Sequence, residues 1–243
     1  MEQKSLLANI LARVTQTTTE TITGFLPMIG SEYAGNLMVV GRAVNGWTDG
    51  ISPGDLADVE TRNNYVDVVY NSVTGNMPGE CPMSWITTCW AQGEKYNTAG
   101  SPFWRVIRRV VGKLEITEVD DGNLKWPSHL IWSNLYKVSP ANGGNPPMGL
   151  KKLQFAGCND LLQWEIKTFR PHRLLFLTGY DWAAPFLQPY WHEVLNIPEY
   201  LEVKAIGHLQ QDDCVTKCVV ATHPQGKNES RWVEEVVNAF NLP

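Results

Sequence analysis

The sequence predicts an α/β protein of three layers, with a central, mostly parallel four-stranded sheet between helices. Three observations carry that prediction. Continuous apolar runs at residues 37–40, 129–135, 173–178 and 218–222 suit strands buried on both faces. Helical apolar spacing lies between them, most plainly over residues 101–111 and 150–169. Strands alternating with helices imply parallel pairing with helical crossovers.

Taken in order, residues 5–14 place Leu6, Leu7, Ile10, Leu11 and Val14 at helical spacing before a Thr-rich stretch breaks the pattern. The run 37–40 reads as the first central strand, stopping at Gly41. Residues 45–100 are rich in Gly, Pro, Asn and Thr, with one apolar alternation over 65–70, so loops and short helices are expected there. Ser101 and Pro102 supply a cap and a first-turn proline for a helix with Phe103, Trp104, Ile107 and Val111 on one stripe. A strand over 129–135, a helix over 150–169 and a strand over 173–178 follow. Residues 200–209 are expected to pair with 214–221. Ser230 is expected to cap a closing helix bearing Trp232, Val233, Val236, Val237 and Phe240. The whole, 1–243, reads as one domain, a length that buries a substantial core.

Composition narrows the function classes. Hydrophobic residues at 43% against 19% charged describe a globular chain rather than a disordered one. The formal charge of −5 offers no general field for a polyanion, so a nucleic-acid surface has to be local. The five cysteines include no pair at the two-residue spacing of zinc or iron–sulfur sites, so reduced structural thiols and no bound metal are expected. Apolar runs are too short to cross a bilayer and residues 1–7 lack the core of a signal peptide, which points to a cytoplasmic protein without a membrane partner.

Polar groups gather where the apolar runs end: Gly41 to Gly46, Asn134 to Ser139, Gly179 to Trp182, and His223 with Pro224. Open α/β sheets bind ligands at the carboxyl ends of their strands. Asn134 offers both a donor and an acceptor, as reading a base edge requires. In that order, the four segments resemble the uracil-DNA glycosylase superfamily. The first, residues 37–46, is similar to its apolar strand and water-activating loop, with Arg42 and Ala43 where the family carries a carboxylate or Asn, Val44 in the proline position, and Asn45 one place later. Residues 101–107 resemble its Phe-Trp helix, 131–140 its strand ending in Asn and running on toward Lys and Pro, and 174–182 with 219–225 its Gly-ended strand and His-Pro loop.

The resemblance implies a uracil-DNA glycosylase-like fold and a hydrolase of N-glycosyl bonds that excises bases in DNA repair without a cofactor. His223 would stabilise the departing base and Asn45 would orient water. Asn134, Phe103, Gly41 and Ala43 would contact the base, with Arg42, Lys137, Ser139, Gly226 and Lys227 toward phosphate. The partner would be DNA, single-stranded or damaged. Two alternatives stand beside it: a descendant that binds DNA without cutting, and an enzyme acting on a free nucleoside-like small molecule.

Overall fold

In the computed structural model, the residues described are 2–75, 80–92, 96–120, 124–187, 191–195, 199–211 and 214–242. The chain begins with α1 (Glu2–Arg13), then β1 (Ile22–Gly24), β2 (Met28–Ile29) and β3 (Leu37–Ala43). Helices α2 (Val59–Thr74), α3 (Ser84–Gln92) and α4 (Pro102–Lys113) precede β4 (Leu130–Tyr136) and β5 (Val138–Pro140). The rest comprises α5 (Met148–Phe169), β6 (Arg173–Phe176), α6 (Tyr180–Leu187), β7 (Trp191–Leu195), β8 (Val203–Gln211), β9 (Cys214–Ala221) and α7 (Glu229–Asn241).

The fold is mixed α/β. Its main sheet runs in the order β2-β4-β3-β6-β9-β8-β7, and β1 pairs with β5 in a separate antiparallel ribbon. Parallel ladders join β3 to β6, from Leu37 opposite Arg173 to Val40 opposite Phe176, and β6 to β9, from Arg173 opposite Lys217 to Phe176 opposite Val220. Burial on both faces explains the unbroken apolar runs: Leu37 to Val40, Leu174 to Leu177 and Cys218 to Ala221 are all inaccessible to solvent.

Seven strands stand where four were expected. The additions lie toward the two ends of the sheet: β2, of two residues, is one edge, and β7 is the other, with β8 between β7 and β9 and antiparallel to both. A strand as short as β2 leaves no period to read, whereas the pairing of β8 with β9 matches the expected pairing of 200–209 with 214–221. β3 also continues through Gly41 to Ala43 rather than ending at the glycine.

The stretch 45–100 holds a helix of 16 residues, α2, in place of short elements; residues 76–79 and 93–95 of that stretch lie outside those described. Its Tyr65, Val66, Val69 and Val73 form a buried helical stripe that the alternation at 65–70 concealed, and Asp58 caps it by accepting from the Thr61 amide at 2.8 Å. At α4 the side chain of Ser101 makes no cap bond; its hydroxyl accepts instead from Tyr96 at 3.1 Å. At α7 the cap is Asn228, not Ser230, with Asn228 Oδ1 accepting from the Arg231 amide at 3.2 Å. Among the described residues no helix is long and apolar enough to cross a membrane.

The chain divides into two compact units. The first comprises Met1–Met28, Gly41–Pro78 and Ser133–Phe169; the second comprises Ile29–Val40, Gly79–Trp132 and Arg170–Pro243. In the first, α1 packs on α5, where Gly157 sits against Ile10 with no room for a side chain. In the second, α4 and α7 pack together, linked by a forked ion pair in which Arg105 Nε donates to both oxygens of Glu229 at 3.1 Å.

Candidate functional site

In the first unit the polar groups collect at the end of β4. Strand alternation sends Ser133 and Leu135 to one face and Asn134 and Tyr136 to the other. Beyond Ser133, Lys137 Nζ donates to Glu165 Oε1 and to Ser133 Oγ, each at 2.6 Å, and Ser133 donates to Glu165 Oε2 at 2.7 Å. All three residues have no exposed surface. Burial pushes the Glu165 carboxyl up from its ordinary value, while Lys137 and the two hydrogen bonds pull it back. Lys137 therefore does not face phosphate: its ammonium is committed to an interior ion pair.

Asn134 is 2% exposed, and its Nδ2 has no hydrogen-bond partner among the described residues. A buried carboxamide donor without an acceptor costs about 1–3 kcal/mol. A carbonyl oxygen on a ligand is the group that would satisfy it. The Ser139 hydroxyl is likewise fully buried and has no hydrogen-bond partner among the described residues. The adjoining backbone is clamped by Gln154, which accepts from the Val138 amide at 2.9 Å and donates to the Val138 carbonyl at 2.8 Å. Beside it, burial pushes the Cys158 thiol up to about 12, an inert sulfur rather than a nucleophile.

Asn45 is exposed, and its Oδ1 accepts from the Gly144 amide at 2.7 Å. Gly143 and Gly144 take φ of 97° and 91°, and a Cβ on Gly143 would lie 2.8 Å from Asn45 Oδ1. Its carbonyl thus holds a glycine turn. Gly41 is buried within β3, and Arg42 and Ala43 that follow are half-buried. Burial lowers the Arg42 guanidinium from its usual value without removing its charge. Lys151, in the first turn of α5, has Nζ 5.9 Å from the centre of the Tyr136 ring; burial first, and Arg42 second, lower its pKa.

No protein-family model matches the chain, and no curated protein matches it.

In the second unit His223 is half-buried, and its Nδ1 accepts from the Gln225 amide at 3.3 Å. A neutral ring so bonded carries its proton on Nε2, the tautomer that donates from that nitrogen. Gly226 is exposed with φ of 74°, and Lys227 is exposed with Nζ 3.6 Å from Glu202 Oε2. Phe103 is half-buried, edge-on to Trp104 with ring centres 4.9 Å apart. Trp104 in turn meets Trp132 at 5.1 Å, so Phe103 borders an aromatic core.

Gly41, Arg42, Ala43, Asn45, Asn134, Lys137 and Ser139 belong to the first unit and Phe103, His223, Gly226 and Lys227 to the second. Sequence reasoning missed Glu165, Glu202, Glu235 and Lys151. A signal existed for two of them: Glu165 follows Leu161 by four and Leu162 by three, and Glu235 follows Trp232 by three, acids on apolar stripes. No group of three or more His, Cys, Asp or Glu residues suited to a metal ion occurs among the described residues.

Proposed function

We propose that the chain is a uracil-DNA glycosylase-like protein that recognises an altered base in DNA, with the fold that resemblance implies. The observation that carries the reading is Asn134: a carboxamide buried to 2% exposure whose Nδ2 lacks an acceptor among the described residues, toward the carboxyl end of an inner strand of the sheet. Uracil and hypoxanthine both present a carbonyl that Nδ2 would donate to, and an extruded base is the form in which DNA offers that edge. Arg42 and Lys151 supply charge suited to the phosphates that accompany such a base. In the second unit, His223 with its proton on Nε2 is suited to donate to a developing negative charge.

A second reading, binding without hydrolysis, is favoured by a separate observation. Asn45 has its carbonyl committed to Gly144, and Arg42 stands where a carboxylate would steady positive charge on the sugar.

The test is a base-excision assay on single- and double-stranded DNA carrying uracil or hypoxanthine, with wild type, Asn134→Ala and His223→Ala. Excision lost in both variants supports a glycosylase. Binding without excision, weakened by Asn134→Ala, supports the reader. Neither excision nor base-dependent binding overturns the base-recognition reading.

A further inference from the structure

Thr222, the residue before His223, is fixed at three atoms. Its amide donates to the Glu202 carbonyl at 2.8 Å, its hydroxyl to Glu202 Oε2 at 2.6 Å, and its own carbonyl accepts from Trp232 Nε1 at 2.9 Å. Glu202 is held from behind by a second carboxylate: Glu235 accepts from the amides of Leu201 at 3.1 Å, Glu202 at 2.6 Å and Val203 at 3.1 Å. Lys227 completes the cluster, with Nζ 3.6 Å from the same Glu202 oxygen that Thr222 occupies. Glu202 and Glu235 are 6% and 7% exposed, and Trp232 is fully buried.

Closing the end of a strand does not call for two buried carboxylates. Apolar packing of equal volume usually serves stability as well or better, because taking a charge out of water is costly. What the pair supplies is a fixed place for Thr222: Glu235 holds the 201–203 backbone whose Glu202 carbonyl takes the Thr222 amide, and the Glu202 carboxylate takes the hydroxyl, while Trp232 holds the carbonyl. His223 follows Thr222, and its ring is set from the other side by the Gln225 amide on Nδ1.

We infer that Glu202, acting through Thr222, is a positioning residue for His223. This rests on the reading of His223 as a group that meets the base. Glu202 need not touch a ligand; it removes the backbone freedom that would let the imidazole drift from a productive orientation. Displacing a reacting group by about 1 Å lowers rates by as much as a hundredfold.

The experiment uses the full chain with Thr222→Val, Thr222→Ser, Glu202→Gln and Glu202→Ala, and two readouts. Nitrogen NMR shifts of the His223 ring report its tautomer and order without substrate, and single-turnover excision on uracil DNA separates rate from half-saturation. Thr222→Val and Glu202→Ala should shift the His223 ring nitrogens and slow excision by about ten- to a hundredfold at unchanged half-saturation. Thr222→Ser and Glu202→Gln, which keep hydroxyl and acceptor, should stay within a few-fold of wild type. Unchanged ring signals in a folded Thr222→Val protein overturn the inference, and that variant decides the matter if Glu202→Ala does not fold. Wild type without excision or base-dependent binding would remove the base reading, and the ring nitrogens would still decide whether Glu202 positions His223.

Discussion

Lys137 and Glu165 place opposite charges where neither has any exposed surface, and Ser133 bridges them. Desolvating two ions makes such a pair a poor source of net stability, yet removing one partner strands the other in the interior. Lys137→Met should therefore cost about 3–5 kcal/mol in denaturant unfolding, and the double variant with Glu165→Leu should recover much of it. A double variant as unstable as the sum of the singles would deny the coupling. The sequence drew attention to Lys137 for its charge and its place after Asn134. It could not show that the charge turns inward, because that depends on Glu165, 28 residues onward on α5. Asn134 and His223 drew attention because polar residues after apolar runs stand out locally. Partners supplied by distant elements did not.

At the scale of elements, Asn228 and Ser230 compete for the start of α7, and the cap bond belongs to Asn228. Asn228→Ala should lower stability by about 1 kcal/mol while Ser230→Ala stays near neutral, measured by the same unfolding curves. The Arg105 fork gives α4 and α7 a pH-sensitive link. Its hydrogen bonds hold the Glu229 carboxyl below the ordinary carboxylate value. A depressed acid contributes stability that is present above its unfolded pKa and lost as pH falls through its folded one. Both side chains are partly exposed, so the loss should be below about 1 kcal/mol, and Glu229→Gln should flatten that part of the acid stability profile. Between β2 and the turn before β4, a Cβ on Gly30 would lie 2.0 Å from the Ser128 carbonyl oxygen. Backbone cannot swing aside as a side chain does, so Gly30→Ala should cost about 3 kcal/mol. The buried parallel strands were readable from their unbroken apolar runs. β2 and α2 were not, since two residues carry no period and a polar, Thr- and Asn-bearing helix dilutes its stripe.

For the chain as a whole, the proposed base recognition has to be reconciled with a net charge of −5. General attraction is absent, so affinity has to come from a few placed cations such as Arg42 and Lys151 and from the base itself. The logarithm of the DNA association constant should fall against the logarithm of salt with a slope of roughly −2, as two or three phosphate contacts give. A slope several-fold steeper would place an extensive basic surface elsewhere. The measurement that bears most directly on base recognition is binding of uracil-bearing against undamaged single-stranded DNA by wild type, Asn134→Ala and Asn134→Asp. Wild type should prefer the uracil strand. Removing the Nδ2 donor, or replacing it with an acceptor, should abolish the preference at a loss of about ten- to a hundredfold in affinity. No preference in wild type, or a preference left intact in Asn134→Asp, would contradict a base read by Asn134.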